Sequence, residues 1–247
     1  NGKGCSRGGH PFFREEGGTP EGKEKGARHM GFQAIDWESW PRREYFEHYY
    51  REVPCTYSMT VTLDVTEIKA AGLKLYPTML YCIATVVNRH EELRTCFAKG
   101  TLGVYDSMSP CYTVFHSDTE TFSNLWTEYQ EDYAAFYQAY EADLGAYGEI
   151  HRFEGKPGLP ENSFTVSMIP WRTFEGFHLH LPEGNQYLLP IFTIGKYQVR
   201  EGRLLLPMAI QVHHGVCDGF HVCRLTDEVQ ELLDLGGGLL ERRKAEE

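Results

Sequence analysis

Long apolar runs are missing from this chain of 247 residues. No stretch approaches the length needed to cross a bilayer, and no apolar signal segment precedes the folded region. Basic residues are also scarce: 24 Lys and Arg stand against 35 Asp and Glu, for a formal net charge of −11. That balance argues against nucleic-acid and anionic-membrane partners, since both want a basic surface. Paired cysteines at metal-ligand spacing are missing too. The seven cysteines (Cys5, Cys55, Cys82, Cys96, Cys111, Cys217, Cys223) are odd in number and scattered, several in apolar runs such as "MLYCIATVV". Free, buried thiols in a reducing compartment are therefore expected, and a cytoplasmic location with them. A glycine-rich phosphate loop and internal repeats are likewise absent.

What is present is core material. Hydrophobic residues make up 41% and aromatics 13%, enough to exclude global disorder. Residues 1–29 stand apart, with eight glycines and no periodic apolar pattern, and are expected to be a flexible or expression-derived leader. Residues 30–247 then read as one α/β domain.

Within it, "WPRREYFEHYYREV" places Tyr45, Phe46, Tyr49 and Tyr50 on one helical stripe, with Pro41 in the first turn and Pro54 ending the element. "CTYSMTVTLDV" alternates cleanly, as a half-buried strand does. "YPTMLYCIATVVNRH" predicts a buried helix. Short strands are expected near 93–98, 101–105 and 111–116, followed by a long aromatic helix over "TFSNLWTEYQEDYAAFYQAYEADL". Strands are expected at 163–169, 174–181, 190–199 and 203–213, the last two joined by a turn at "REGR". A final helix covers Phe220–Leu235 and stops at Gly236–Gly238. Helices gathered early and strands late imply a two-layer sandwich, a large mixed sheet flanked by helices.

Chemistry concentrates in "QVHHGVCDGFHV", Gln211–Val222. Along the preceding strand, Leu204, Leu206, Met208, Ile210, Val212 and His214 share one face, while Leu205, Pro207, Ala209, Gln211 and His213 share the other. Adjacent histidines thus point apart, which is poor zinc geometry, and no metal is expected. A histidine ending an apolar strand is usually a packed core residue. Asp218 four residues on, and an apolar setting that disfavours imidazolium, favour instead a neutral general base. Cys217 sits in a short apolar link beside an aspartate, where a thiol is raised rather than activated, so packing is its expected role.

"HHGVCDG" occurs here with "WPRREYFEHYY", "VPCTYS", "TVFHSDTETFS", "VSMIPW", "IFTIGKYQ" and "LLLPMAIQVHHGVCDGFHV". In that order, from about Met30 to Leu233, they resemble the chloramphenicol acetyltransferases. HxxxDG alone is shared with the acyltransferase domains of 2-oxo-acid dehydrogenase complexes. The latter remain the alternative, though a lipoyl module and Ala/Pro-rich linkers would then be expected upstream.

The resemblance implies acetyl transfer from acetyl-CoA, a cosubstrate and not a bound cofactor, to chloramphenicol. It assigns the base to His214, an oxyanion donor to Ser167, a water-holding hydroxyl to Thr193, and an orienting ion pair to Asp218 and Arg42. The acceptor pocket would be lined by Tyr49, Val53, Cys55, Thr113, Phe122, Phe177 and Leu179. Lys74, Tyr76, Lys196 and Tyr197 would meet coenzyme A. His48 and Thr165 depart from the family's usual phenylalanine and asparagine. The family forms homotrimers with active sites at subunit interfaces, and the same is expected here.

Overall fold

The computed structural model describes residues 31–181 and 186–241; the leader expected over 1–29 lies outside them. A seven-stranded mixed sheet is its backbone. In order across the sheet lie β2 (Thr56–Asp64), β10 (Arg203–His213), β8 (Ile191–Ile194), β7 (Ser163–Met168), β5 (Ser109–His116) and β6 (Thr121–Trp126), with β9 (Gln198–Arg200) pairing on β10. The two contacts of β7 are parallel and the rest antiparallel. A small sheet of β1 (Phe32–Ala34), β4 (Thr101–Tyr105) and β3 (Thr95–Ala98) stands apart. This is the expected sandwich.

One face of the large sheet holds the core. Leu206, Met208, Ile210 and Val212 of β10 are buried there, with Phe192 and Ile194 of β8 and Phe164 and Val166 of β7. Against them pack α3 (Leu75–Arg89) and α5 (Gly219–Asp234), while α4 (Tyr133–Tyr147) lies toward β6. Every residue of α3 from Pro77 to Val87 is buried, as its unbroken apolar run implies. The opposite face is short and polar: Ser58, Thr60, Gln211, Thr193, Ser167, Thr165 and Thr113 follow from the strand registers.

Four expectations are corrected. The long aromatic helix begins only at Tyr133, where the Asp132 carboxylate caps it by accepting the Ala135 N–H at 2.7 Å. Residues 121–126 form β6 instead, because Ser123 and Leu125 turn inward and pair opposite Val114 and Tyr112. The stretch 174–181 joins no ladder. It crosses the polar face, where Leu179 N–H donates to the Gln211 side chain at 3.1 Å. The expected strand 190–199 breaks after Ile194, since its next partner, Pro207, has no N–H to continue the ladder. Lastly, only Arg43–Phe46 (α1) of the aromatic helix near the start is α-helical; Glu47–Glu52 winds into a wider π-helical turn. A short α2 (Thr66–Ala70) was not foreseen. The "REGR" hairpin is as expected, with Glu201 and Gly202 at positive φ.

The loop after α4 is pinned by Lys156. Its ammonium bonds Asp143 at 2.6 Å and the Trp126 carbonyl at 3.0 Å, with side-chain exposures of 13% and 16% for the ion pair. Lys156→Met should leave the buried Asp143 carboxylate without its counter-charge, held only by the Thr127 hydroxyl at 2.8 Å. A loss of about 3 kcal/mol is expected in urea unfolding. A variant as stable as the parent would contradict this role.

Candidate active site

β10 delivers the histidine pair to a tight turn. His213 is fully buried, its ring beside Tyr50 at 5.6 Å, and its Nδ1 accepts the Gly215 N–H at 3.0 Å. A Cβ on Gly215 would lie 3.0 Å from that nitrogen and 3.3 Å from Phe46, so any larger residue would have to push the His213 ring or Phe46 aside by a few tenths of an ångström. His214 leaves the ladder, its N–H donating to the Cys55 carbonyl at 2.9 Å. Its ring is held on two sides. Tyr49 stacks on it at 3.9 Å and 10°, and Tyr57 meets it edge-on at 5.4 Å. Its Nδ1 is buried with no hydrogen-bond partner.

Arg42 clamps the turn from outside. Its guanidinium donates to Asp218 Oδ2 at 3.0 Å, to the His214 carbonyl at 3.3 Å and to the Gly215 carbonyl at 3.4 Å. The pairing expected from sequence is present, and it grips the catalytic candidate's own backbone. Partial burial would raise the Asp218 carboxyl, but the Arg42 hydrogen bond and the charges of His221 and Arg42 outweigh it and hold it below its ordinary value. Side-chain exposures of 18% for Arg42 and 37% for Asp218 make this a half-buried pair. The large penalty of a buried ion left alone does not apply in full. Asp218→Asn and Arg42→Ala should each cost about 1–2 kcal/mol and lower activity. A carboxylate whose folded pKa is depressed stabilises above its unfolded value of about 4 and loses that effect as pH falls through the folded value. Melts of wild type and Asp218→Asn should therefore differ at neutral pH and converge in acid. A constant gap would contradict the linkage.

Cys217 is 1% exposed, and burial pushes its thiol up to about 12. It is a packed residue, as expected. Among the described cysteines Cys82, Cys96, Cys111 and Cys217 are buried, Cys55 is half-buried and Cys223 is exposed, so the expectation of buried thiols holds for four of the six.

Ser167 and Thr193 meet across the parallel pair β7–β8, their hydroxyls 3.0 Å apart, with Thr193 buried. Thr193 in turn faces Ala209 of β10. His214 lies five residues beyond Ala209, roughly 17 Å along the strand and about 10 Å across two strand spacings, so roughly 20 Å from Ser167. One chain does not bring these two groups together.

The remaining candidates divide between the two places. Tyr49 and half-buried Cys55 sit beside His214, with exposed Val53 following the π-helical turn. Phe177 and Leu179 cover a small recess over Thr193, Ala209 and Gln211 on the Ser167 side. Phe122 is 48% exposed on β6 and Thr113 half-buried on β5. Thr165 opens onto a cavity of about 730 Å³ that also has Cys111, Tyr187 and Trp126 in its walls.

Of the coenzyme candidates, Lys74 is engaged by both oxygens of Glu141 at 3.0 Å. The Tyr76 hydroxyl donates toward the Thr113 and Val166 carbonyls at 3.3 and 3.4 Å, and burial raises its pKa, so it ties β5 to β7. Lys196 and Tyr197 lie in the link after β8, Lys196 exposed. His48 bonds Glu52 at 2.9 Å and meets Tyr49 edge-on at 4.8 Å. No three-residue His/Cys/Asp/Glu metal cluster occurs among the described residues. Nor is any described helix long and apolar enough to cross a membrane.

Sequence reasoning missed two residues at the turn. The alternation of "CTYSMTVTLDV" puts Tyr57 on one face of its strand, yet its contact with His214 emerges only from the pairing of β2 with β10. His221 closes a capping box with Asp218, a signal legible in its position three residues after the cap.

A two-layer mixed-sheet fold and an HxxxDG turn clamped by arginine together define an acyltransferase. The family model for chloramphenicol acetyltransferase matches residues 30–230, and the chain belongs to that family. It is 59% identical to a chloramphenicol acetyltransferase of Clostridium perfringens, over 83% of this chain and 100% of that protein. One from Escherichia coli is 42% identical, over 83% of this chain and 94% of its own length. A solved chloramphenicol acetyltransferase superposes with a TM-score of 0.73 at 25% identity, covering 82% of this chain and all of that one. A dihydrolipoamide acetyltransferase of Azotobacter vinelandii, at 0.60 and 19% over 78% and 87% of the two chains, shares the fold.

Proposed function

We propose that this protein transfers the acetyl group of acetyl-CoA to a hydroxyl of chloramphenicol. The observation that carries the reading is the setting of His214: ring gripped by Tyr49 and Tyr57, backbone clamped by Arg42, and a neighbouring thiol too high in pKa to compete as nucleophile. With Nδ1 buried, Nε2 is the nitrogen that takes the hydroxyl proton. The alkoxide oxygen adds to the thioester carbonyl, the tetrahedral oxyanion collapses, and the departing thiolate recovers the proton as free coenzyme A. No covalent enzyme intermediate is needed.

Ser167 donates to the oxyanion. The Thr193 hydroxyl, 3.0 Å away, supports it, and the long 3.4 Å contact to the Phe192 carbonyl is easily given up. Ser167→Ala should lower turnover by about 10²–10³ with much smaller changes in either Michaelis constant. Loss of binding without loss of turnover would contradict that role.

A base must stand about 3 Å from the hydroxyl proton's oxygen and a donor about 3 Å from the oxyanion. The separation of His214 and Ser167 within one chain therefore supports sites built between copies, His214 from one and Ser167 from the next, in a homotrimer. Lys74, Lys196 and Tyr197 remain candidates for coenzyme A, with Lys74 needing to leave Glu141. The free cysteines fit a cytoplasmic setting. Thiol release from acetyl-CoA, followed with and without chloramphenicol, tests the activity. Acceptor-independent release, or none, would count against it.

A further inference from the structure

Asp218 caps the N-terminus of α5, and the residue three places on is His221, where a capping box usually has Glu or Gln. The imidazole does more than close a cap. Its Nδ1 accepts the Asp218 N–H at 3.1 Å and also lies 2.8 Å from Asp218 Oδ1. A single nitrogen cannot accept the one and donate to the other at once. Unprotonated it holds the backbone of Asp218; protonated it holds the carboxylate. Either way it fixes the same residue.

That residue needs fixing. The Asp218 side chain is 37% exposed, and Arg42 bonds only its Oδ2, while Oδ1 has the Phe220 N–H at 3.2 Å and His221. His221 is far less free, at 16% side-chain exposure. It lines a recess of about 380 Å³ shared with Trp40, Pro41, Arg42, Glu91 and Glu92, and Phe220 meets its ring edge-on at 5.7 Å. From His221 the contacts run to Asp218, to Arg42, and on to the His214 carbonyl at 3.3 Å.

We infer that His221 is a positioning residue for acetyl transfer, holding Asp218 and, through Arg42, the backbone that aims His214. The inference rests on His214 being the base. A merely structural cap would affect stability alone. A positioning residue affects turnover while leaving substrate binding nearly alone, because small misplacement of a base is felt mainly in the transition state.

The test uses His221→Ala, His221→Asn and the pair His221→Ala with Asp218→Asn, assayed below their melting temperatures. His221→Ala should lower kcat about tenfold with both KM values within about twofold. His221→Asn, whose amide oxygen can take the Asp218 N–H, should recover to within about threefold of wild type. In the Asp218→Asn background, adding His221→Ala should cost less than about twofold, since the two act along one path. Wild-type kcat in folded His221→Ala would overturn the inference. So would an Asn variant as poor as Ala, or a full additional loss in the Asp218→Asn background. A folded His214→Ala with near-normal turnover would instead sink the base assignment, so the two failures are distinguishable.

Discussion

His214→Ala is expected to lower turnover by about 10²–10⁴ while the protein keeps its fold. Removing the imidazole forfeits its ring contacts with Tyr49 and Tyr57, but its Nδ1 makes no hydrogen bond and leaves no partner orphaned, so the fold survives with only a modest loss of stability. His213→Ala should behave in the opposite way. From strand alternation alone it is the mild variant, facing away from the chemistry. Its full burial and its bond to the Gly215 N–H change that expectation for stability. A loss of about 2–3 kcal/mol is expected from the cavity and the orphaned N–H together. Turnover per folded molecule should fall far less than for His214→Ala. Steady-state rates and melting curves of the two variants separate the cases. An inactive but stable His213→Ala, with an active His214→Ala, would reverse the assignment.

The strand that presents the histidines was legible because its signal is local. Leu204, Leu206, Met208, Ile210 and Val212 keep every second position apolar, so the strand's inward face follows from a period of two, although Leu205, Pro207 and Ala209 make the other face apolar in part. The buried helix α3 was legible for the same reason. Residues 121–126 were not, since an aromatic-rich stretch reads as helix until pairing with β5 turns Ser123 and Leu125 inward. Pairing is non-local. The break after Ile194 likewise depends on Pro207 lying opposite, thirteen residues away in sequence and adjacent only across the sheet.

The candidate site divides along the same line. The types at the turn, His214 and Asp218 with Arg42, were readable through family resemblance, and the ion pair forms. That Arg42 also holds the His214 and Gly215 carbonyls was not readable, because backbone acceptors carry no residue signature. Tyr76 shows the converse. The family resemblance implied a coenzyme contact, yet its hydroxyl is turned inward to two strand carbonyls. Burial decides between such roles, and burial is a property of the packed whole.

In the proposed trimer an active site joins His214 of one copy to Ser167 of another, and assemblies mixed from two inactive variants show whether it does. His214→Ala and Ser167→Ala should each be nearly inactive alone. Unfolded and refolded together in equal amounts, they should form trimers in which about one quarter of the sites have both residues intact, because each site draws its two residues independently from neighbouring copies. Activity should rise to about a quarter of wild type, well above the sum of the separate variants. A cofolded mixture shown by mass to contain mixed trimers, yet no more active than that sum, would place the whole site in one chain and rule out a site shared between copies.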